Sequence, residues 1–315
     1  MTKILILGGN GFIGSNLASF FLQKGYELHL MLRSNASIWR IRHLMPQINT
    51  YTGEINDVAS LVSLIDVVRP EIVINATGIV KGESINDQEG VITSNLTSTV
   101  NIVNSFIKSS ADILINTGSA KEYGFSPSAI NENYHGIPIG LYGVTRKAAT
   151  EYSRFISMKY ERKIVNLRLF TPYGPFDSPN RLIPHCILSL IQKRTPDIKN
   201  MSGIRDFVYN EDVSSAYELV IRKMDRLENG TVINVGNGKA ITVNHVVNEL
   251  LKIDPQDFEM ELTQSTLNAP STDALYSDNR KLLSLGWKAK FNLYSGLSAT
   301  VQWFRNNMQY YRELQ

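Results

Sequence analysis

Seven residues near the start of the chain, Gly8-Gly9-Asn10-Gly11-Phe12-Ile13-Gly14, constrain its fold more than any other stretch. They follow a short aliphatic run over 3–7 and lead into a helical pattern over 13–24 that stops at Gly25. Strand, glycine-rich turn and helix in this order make the first half of a βαβ unit, because glycines permit a turn tight enough for the helix to fold back on the strand. The alternation then repeats. Strands are expected over 26–32, 72–76, 113–116 and 164–170, and helices over 57–68, 91–107 and 141–160. In the helix over 57–68 the expected buried stripe is Val58, Leu61, Val62 and Ile65. An uninterrupted apolar strand such as Ile4-Leu5-Ile6-Leu7 belongs in a sheet covered on both faces. The expected fold is therefore α/β, a doubly wound parallel sheet of Rossmann type.

The glycine turn also predicts a ligand. Backbone N–H groups at the start of a helix bind a pyrophosphate, and glycines at 8, 11 and 14 let it approach, with Phe12 and Ile13 in the first turn. The second strand ends in Arg33 and Ser34, with no acid to hold a ribose diol. A guanidinium there suits a 2′-phosphate, which points to NADP(H), with Arg40 and Arg42 as possible helpers and NAD as the alternative.

Residues 1–170 are expected to form the dinucleotide-binding domain. After Phe170 the pattern is broken by Pro172, Pro175, Pro179, Pro184 and Pro196, so 171–315 are expected to be mainly a smaller C-terminal substrate lobe. Segments at about 204–240 should return to the first domain, including a strand over 232–235. With 43% hydrophobic residues there is material for a sizeable core, and a net charge of +3 without a basic run implies no nucleic-acid or membrane partner. The single cysteine, Cys186, cannot form an internal disulfide, and no cysteine–histidine cluster has zinc spacing, so no metal is expected. The run over 3–7 is too short for a signal peptide, and no stretch approaches membrane-spanning length; a cytoplasmic location is expected.

Several motifs in order carry a resemblance. Gly8-x-x-Gly11-x-x-Gly14, Asn75-Ala76-Thr77-Gly78, Ser119-x-x-x-Tyr123-Gly124 and Tyr142-Gly143-Val144-Thr145 are followed by four more. These are Arg168-Leu169-Phe170-x-x-Tyr173-Gly174-Pro175, Arg205-Asp206-Phe207-Val208-Tyr209, Asn234-Val235-Gly236 and Asp278-Asn279-x-Lys281-x-x-x-Leu285-Gly286-Trp287. Together they resemble the extended short-chain dehydrogenase/reductase family, in its nucleotide-sugar epimerase/dehydratase/reductase branch.

The resemblance implies that Tyr142 is the acid/base and Ser119 the hydroxyl that orients a sugar oxygen. It adds Glu54, Ile55, Ala76, Thr77, Gly78 and Asn95 to the cofactor contacts, and implies that Lys121, Thr171 and Arg205 meet the substrate, Arg205 at its diphosphate. A tyrosine, with an ordinary pKa of about 10, needs a fixed positive charge beside it to act as a phenolate. The family's Tyr-x-x-x-Lys is altered here: Arg146 takes the lysine position and Lys147 comes one residue late. One residue turns a helix by about 100°, so Lys147 should face elsewhere and Arg146 should supply the charge, to Tyr142 and to the cofactor.

Related dehydratases carry acids where this chain has Ala120 and Lys121, which disfavours a dehydratase. The Arg33-Ser34 pair tilts the expectation to NADPH-dependent reduction of a nucleoside-diphosphate 4-keto-6-deoxy sugar. The alternative is an NAD-dependent nucleotide-sugar 4-epimerase, and a third reading is a catalytically weakened binding protein. Relatives place another arginine near the stretch that here reads Leu267-Asn268-Ala269, which leaves the diphosphate clamp open. The helices over 91–107 and 141–160 match those that pair in homodimers, and a homodimer is expected.

Overall fold

The computed structural model describes residues 1–79, 87–253 and 273–312. Its first half runs β1 (Lys3–Leu7), α1 (Phe12–Gln23), β2 (Glu27–Leu32), β3 (Asn49–Thr52), α2 (Val58–Val68) and β4 (Ile72–Asn75). Then come α3 (Gln88–Ile92), a π-helical turn (Thr93–Thr97), α4 (Ser98–Lys108), β5 (Ile113–Ser119), α5 (Gly140–Lys159) and β6 (Ile164–Leu169). The second half holds β7 (Thr171–Tyr173), α6 (Leu182–Ile191), β8 (Ile204–Arg205), β9 (Phe207–Tyr209), α7 (Asn210–Arg222) and β10 (Val232–Val235). It closes with β11 (Ile241–Thr242), α8 (Val243–Ile253), β12 (Ala274–Leu275), α9 (Arg280–Ser284), α10 (Leu293–Asn306) and α11 (Gln309–Arg312).

Seven strands form one parallel sheet in the order β10-β6-β5-β4-β1-β2-β3. The chain winds out from β1 to β3, returns to β4, and winds the other way, which leaves a crevice beyond the carboxyl ends of β1 and β4. Successive residues of β1 alternate between two cores. Ile4 and Ile6 pack with Leu17 and Phe21 of α1 and Tyr217 and Val220 of α7. Leu5 and Leu7 pack with Leu61 and Ile65 of α2 and Val103 and Phe106 of α4. This is the period of two expected of a strand buried on both faces. The expected strand over 232–235 does join the sheet, beside β6.

Three details differ from expectation. Asn49–Thr52 forms a strand although its sequence, Asn-Thr-Tyr-Thr, has no aliphatic residue; it pairs β2 at the sheet edge, where little burial is required. The helix expected over 91–107 is three pieces, because a π turn holds one extra residue per turn between α3 and α4. The buried stripe of α2 is Leu61, Leu64, Ile65 and Val68, while Val58 is exposed in the first turn. There Asp57 caps the helix by accepting from Ser60 N at 3.2 Å, worth about 1 kcal/mol. On α5, Ile156 is buried and Phe155 and Met158 are each 57% exposed. No helix among the described residues is long and apolar enough to cross a membrane.

A second core lies among α6, α8 and α10, with Cys186, Val246 and Phe304 buried in it. Asp177 is buried where this core meets the N-terminal half: Tyr311 donates to its backbone carbonyl at 2.8 Å and Arg181 approaches its carboxylate at 3.5 Å. Burial raises the Asp177 carboxyl to about 6, against an ordinary 3.8. A carboxyl raised on folding holds its proton longer in the native state, so its charging costs stability as pH climbs from about 4 to about 6. Asp177→Asn should therefore gain on the parent protein by about 2–3 kcal/mol between pH 4 and pH 7.5, measured by urea unfolding at both pH values. A difference between the two proteins that does not change with pH would show that the Asp177 carboxyl titrates alike in the folded and unfolded states.

Candidate active site

The expected cofactor residues converge on the crevice at the carboxyl end of the sheet. Gly11 is the N-cap of α1 and offers no side-chain cap, so the first N–H groups of the helix, at Phe12 and Ile13, are left for a ligand. Gly14 packs on the turn itself: a Cβ there would lie 2.8 Å from Gly9 Cα, so only glycine lets the helix sit this close to the strand. Arg33 and Ser34 follow β2 directly and both are exposed. Arg40 is occupied elsewhere; its Nε donates to Phe176 O at 2.9 Å and its guanidinium stacks on Trp39 at 4.3 Å. It is not free to help Arg33, whereas Arg42 is exposed. Glu54 and Ile55 follow β3, the first exposed and the second half-buried.

The loop after β4 is shaped by two buried asparagines. Asn75 Oδ1 accepts from the backbone N–H of Thr77 at 3.1 Å and from its hydroxyl at 2.6 Å. Asn95, in the π turn, accepts from Ile79 N at 2.9 Å, and donates to Ile79 O at 3.0 Å and to Thr145 Oγ1 on α5 at 3.2 Å. Asn95 thus ties the loop to α5. Arg146 completes the knot: it is 5% exposed and donates through its terminal nitrogen to Thr77 O. Gly78 has φ +148°, and a Cβ on it would strike the Arg146 guanidinium and lie 2.9 Å from Asn95 Oδ1. The Arg146 Nε is buried with no protein partner.

Tyr142 occupies the first turn of α5, and the Arg146 guanidinium lies 5.5 Å from its ring centre. On the helix this is the i, i+4 relation that the Tyr-x-x-x-Arg spacing predicts. Lys147 turns away and donates to Gly136 O at 3.1 Å. Ser119 ends β5 and caps the short 3₁₀ turn of Ala120–Glu122, accepting from Lys121 N at 3.2 Å while its own N–H donates to Glu122 Oε1 at 2.7 Å. Glu122 is fully buried and pairs with Arg168 at 2.6 Å. It points into the fold, away from Lys121. The Lys121 ammonium stands 5.9 Å from the centre of the Tyr142 ring.

Thr171 and Arg205 come from the following strands. Thr171 N donates to Asp206 O at 2.9 Å, and Arg205 donates to Ile204 O at 2.8 Å and to Asp273 O, beside the Phe125 ring. Burial lowers the pKa of Arg205 from its ordinary value. Arg205 pairs with neither Asp206 nor Asp212. Asp206 accepts from Asn237 N, Gly238 N and Ser277, and Asp212 from Lys290 N and Phe291 N. The stretch Leu267-Asn268-Ala269 lies outside the described residues.

Sequence reasoning gave no role to the groups that hold the site together. Arg168 ties Glu122 and lies 4.3 Å from the Tyr123 ring, whose hydroxyl donates to Asn234 at 2.8 Å. Arg168, Tyr123 and Asn234 stand in the recognised motifs, so their signal was visible but their partners were not; Glu122 fills an unspecified motif position and carried no signal.

The profile of the NAD dependent epimerase/dehydratase family matches residues 4–236, well over half of the chain. The chain belongs to this family. It is similar to the bifunctional UDP-glucose 4-epimerase and UDP-xylose 4-epimerase 1 of Pisum sativum, at 25% identity over 97% of this chain and 96% of that protein. Among solved structures it resembles the dTDP-glucose 4,6-dehydratase of Bacillus anthracis in complex with NAD, with a TM-score of 0.86, 20% identity and full coverage of both chains. It also resembles the UDP-glucose 4-epimerase of Thermotoga maritima, with a TM-score of 0.85, 22% identity, and coverage of 98% of this chain and 100% of that one. At these identities the two structures establish the Rossmann-type fold, and the family profile establishes the extended short-chain dehydrogenase/reductase membership read from the motifs.

The fit between Gly78 and Arg146 is directly testable. Gly78→Ala should lose about 2 kcal/mol or more, since it adds a Cβ where φ is positive and a buried guanidinium lies. Gly90→Ala, in α3 with open space around it, should be neutral or gain about 0.5–1 kcal/mol. Urea unfolding of the two variants checks the contrast.

Proposed function

We propose that this chain is a nucleotide-sugar 4-epimerase that uses NAD. What carries the reading is Tyr142 set against the buried Arg146 at the carboxyl edge of the sheet, in a chain that aligns over nearly its full length with a UDP-sugar 4-epimerase. The uncapped N-terminus of α1, the glycine cradle and the buried, unpartnered Arg146 Nε suit a dinucleotide, with Gly8, Gly11, Phe12, Ile13 and Gly14 at its pyrophosphate and Ala76, Thr77, Gly78 and Asn95 beside it. Bound NAD supplies a hydride acceptor that can return the hydride to the same carbon. Proton movement falls to the protein: the Tyr142 phenolate takes the proton of the sugar hydroxyl, and the Ser119 hydroxyl donates to the same oxygen. Arg146 is the fixed guanidinium beside the Tyr142 ring, 5.5 Å from its centre. Thr171 and Arg205 are the residues for the substrate diphosphate.

Of the two activities expected from the sequence, the relatives favour the epimerase over the reductase, and the family is NAD-dependent. The reductase and its NADPH draw support from Arg33 and Ser34 alone, which stand exposed after β2 with no acid beside them. A dehydratase lacks its acid, since Glu122 is buried against Arg168. A homodimer through α4 and α5 completes the reading, because Val144, Phe155 and Met158 of α5 are half-exposed apolar groups along one helix.

Purified protein should interconvert UDP-glucose and UDP-galactose, or a related UDP-sugar pair, without added cofactor, and acid extraction should release NAD. Net consumption of NADPH with a 4-keto sugar nucleotide would establish the reductase instead. Tyr142→Phe should lower kcat by about 10²–10⁴-fold and leave UDP-sugar binding intact. An unchanged rate would remove Tyr142 from the chemistry.

A further inference from the structure

Tyr142 is faced by two cations, although its motif accounts for one. Arg146 lies on its own helix, one turn on, and Lys121 reaches it from the turn after β5. The two are held differently. Arg146 is buried, with a terminal nitrogen spent on Thr77 O and no room to move beside Gly78. Lys121 is half-buried, and its ammonium makes no ion pair with any described residue. Its backbone is fixed on both sides. Its N–H donates to Ser119 Oγ at 3.2 Å, its carbonyl accepts from Ile139 N at 2.9 Å just before α5, and Gly143 passes so close that a Cβ would collide with that carbonyl. The turn carrying Lys121 and the helix carrying Tyr142 are therefore one rigid unit. Among the described residues a further titratable neighbour is Tyr217 of α7, buried, bonded to Thr117 Oγ1 at 2.7 Å and raised well above the ordinary tyrosine range by burial. No described carboxylate pairs with either cation, and the nearest in sequence, Glu122, is turned to Arg168.

We infer that Lys121 is a positioning residue for Tyr142, the compact ammonium that favours its phenolate where the helix supplies only a delocalised and partly committed guanidinium. The inference rests on Tyr142 being the acid/base. The Lys121 ammonium lies 5.9 Å from the centre of the Tyr142 ring, and a unit charge at that range in a half-exposed site moves a titration by about one pH unit.

The test compares Lys121→Met and Lys121→Arg in the full-length protein, after circular dichroism shows both folded. Two measurements are made: the pH dependence of kcat/KM, and the phenolate absorbance titration with Tyr142→Phe as the blank that isolates the Tyr142 signal. Lys121→Met should shift the acidic limb and the Tyr142 absorbance titration upward together by about one pH unit, and Lys121→Arg should restore most of both. A rise in KM with both titrations in place would make Lys121 a substrate contact only and overturn the inference. If no UDP-sugar is turned over but the absorbance titration moves, the inference stands and the epimerase reading fails. An unmoved absorbance titration sinks the inference whatever the activity.

Discussion

Arg146 brings a permanent charge into a place that water hardly reaches, and a buried guanidinium costs several kcal/mol unless fixed acceptors meet it. Much of the crevice is arranged around that need. The carbonyl of Thr77 accepts from it, and that carbonyl is aimed by Asn75, which bonds both the N–H and the hydroxyl of Thr77. Gly78 leaves the volume that the guanidinium fills. Asn95 locks the following residue to α5, so the loop and the helix that carries Tyr142 cannot move apart. The same interactions that make the charge tolerable also fix where it points.

Beneath this lies a row of asparagines across the sheet. Asn75, Asn116 and Asn166 are in register on β4, β5 and β6; Asn75 donates to Asn116 at 3.2 Å and Asn116 to Asn166 at 3.3 Å. Ser153 of α5 adds a bond of 2.6 Å to Asn166. Polar residues in a two-sided core are tolerable when they bond to one another, and a bonded row resists a slip in strand register, although Asn166 Nδ2 has no protein partner. It starts at Asn75, the residue that aims Thr77, so the support of Arg146 continues into the middle of the sheet.

The opposite wall depends on the later strands. Asp206, buried and with its carboxyl raised by desolvation, gathers Ser277, Asn237 and Gly238 and so seats β12 beside β8, where Arg205 is in register with Leu275. Leu275 packs on Ala120, Tyr123 and Phe170, which brings the strands bearing Thr171 and Arg205 against the turn that holds Ser119 and Lys121. Two walls built by separate parts of the chain thus meet at one crevice.

Local chemistry made much of this legible in the sequence. The period of the apolar residues marked the inner strands of the sheet, the glycine spacing marked the first turn, and the i, i+4 relation placed Arg146 over Tyr142 and sent Lys147 away. Such properties depend on residues within a turn or two of one another. Other features lacked a local signal: the edge strand Asn49–Thr52, the π turn at Asn95, the choice of Leu64 and Val68 over Val58 and Val62 on α2, and the exposure of Phe155 beside buried Ile156. Which face of a helix is buried depends on what packs against it. The approach of Lys121 to Tyr142, and the pairing of Glu122 with Arg168, join residues far apart in the chain. Sequence alone determined the inner strands of the sheet, the glycine turn and the i, i+4 placement of Tyr142 and Arg146, because these follow from short-range stereochemistry. Only the tertiary structure decided which charges face one another, because electrostatic contact acts through distances that folding creates.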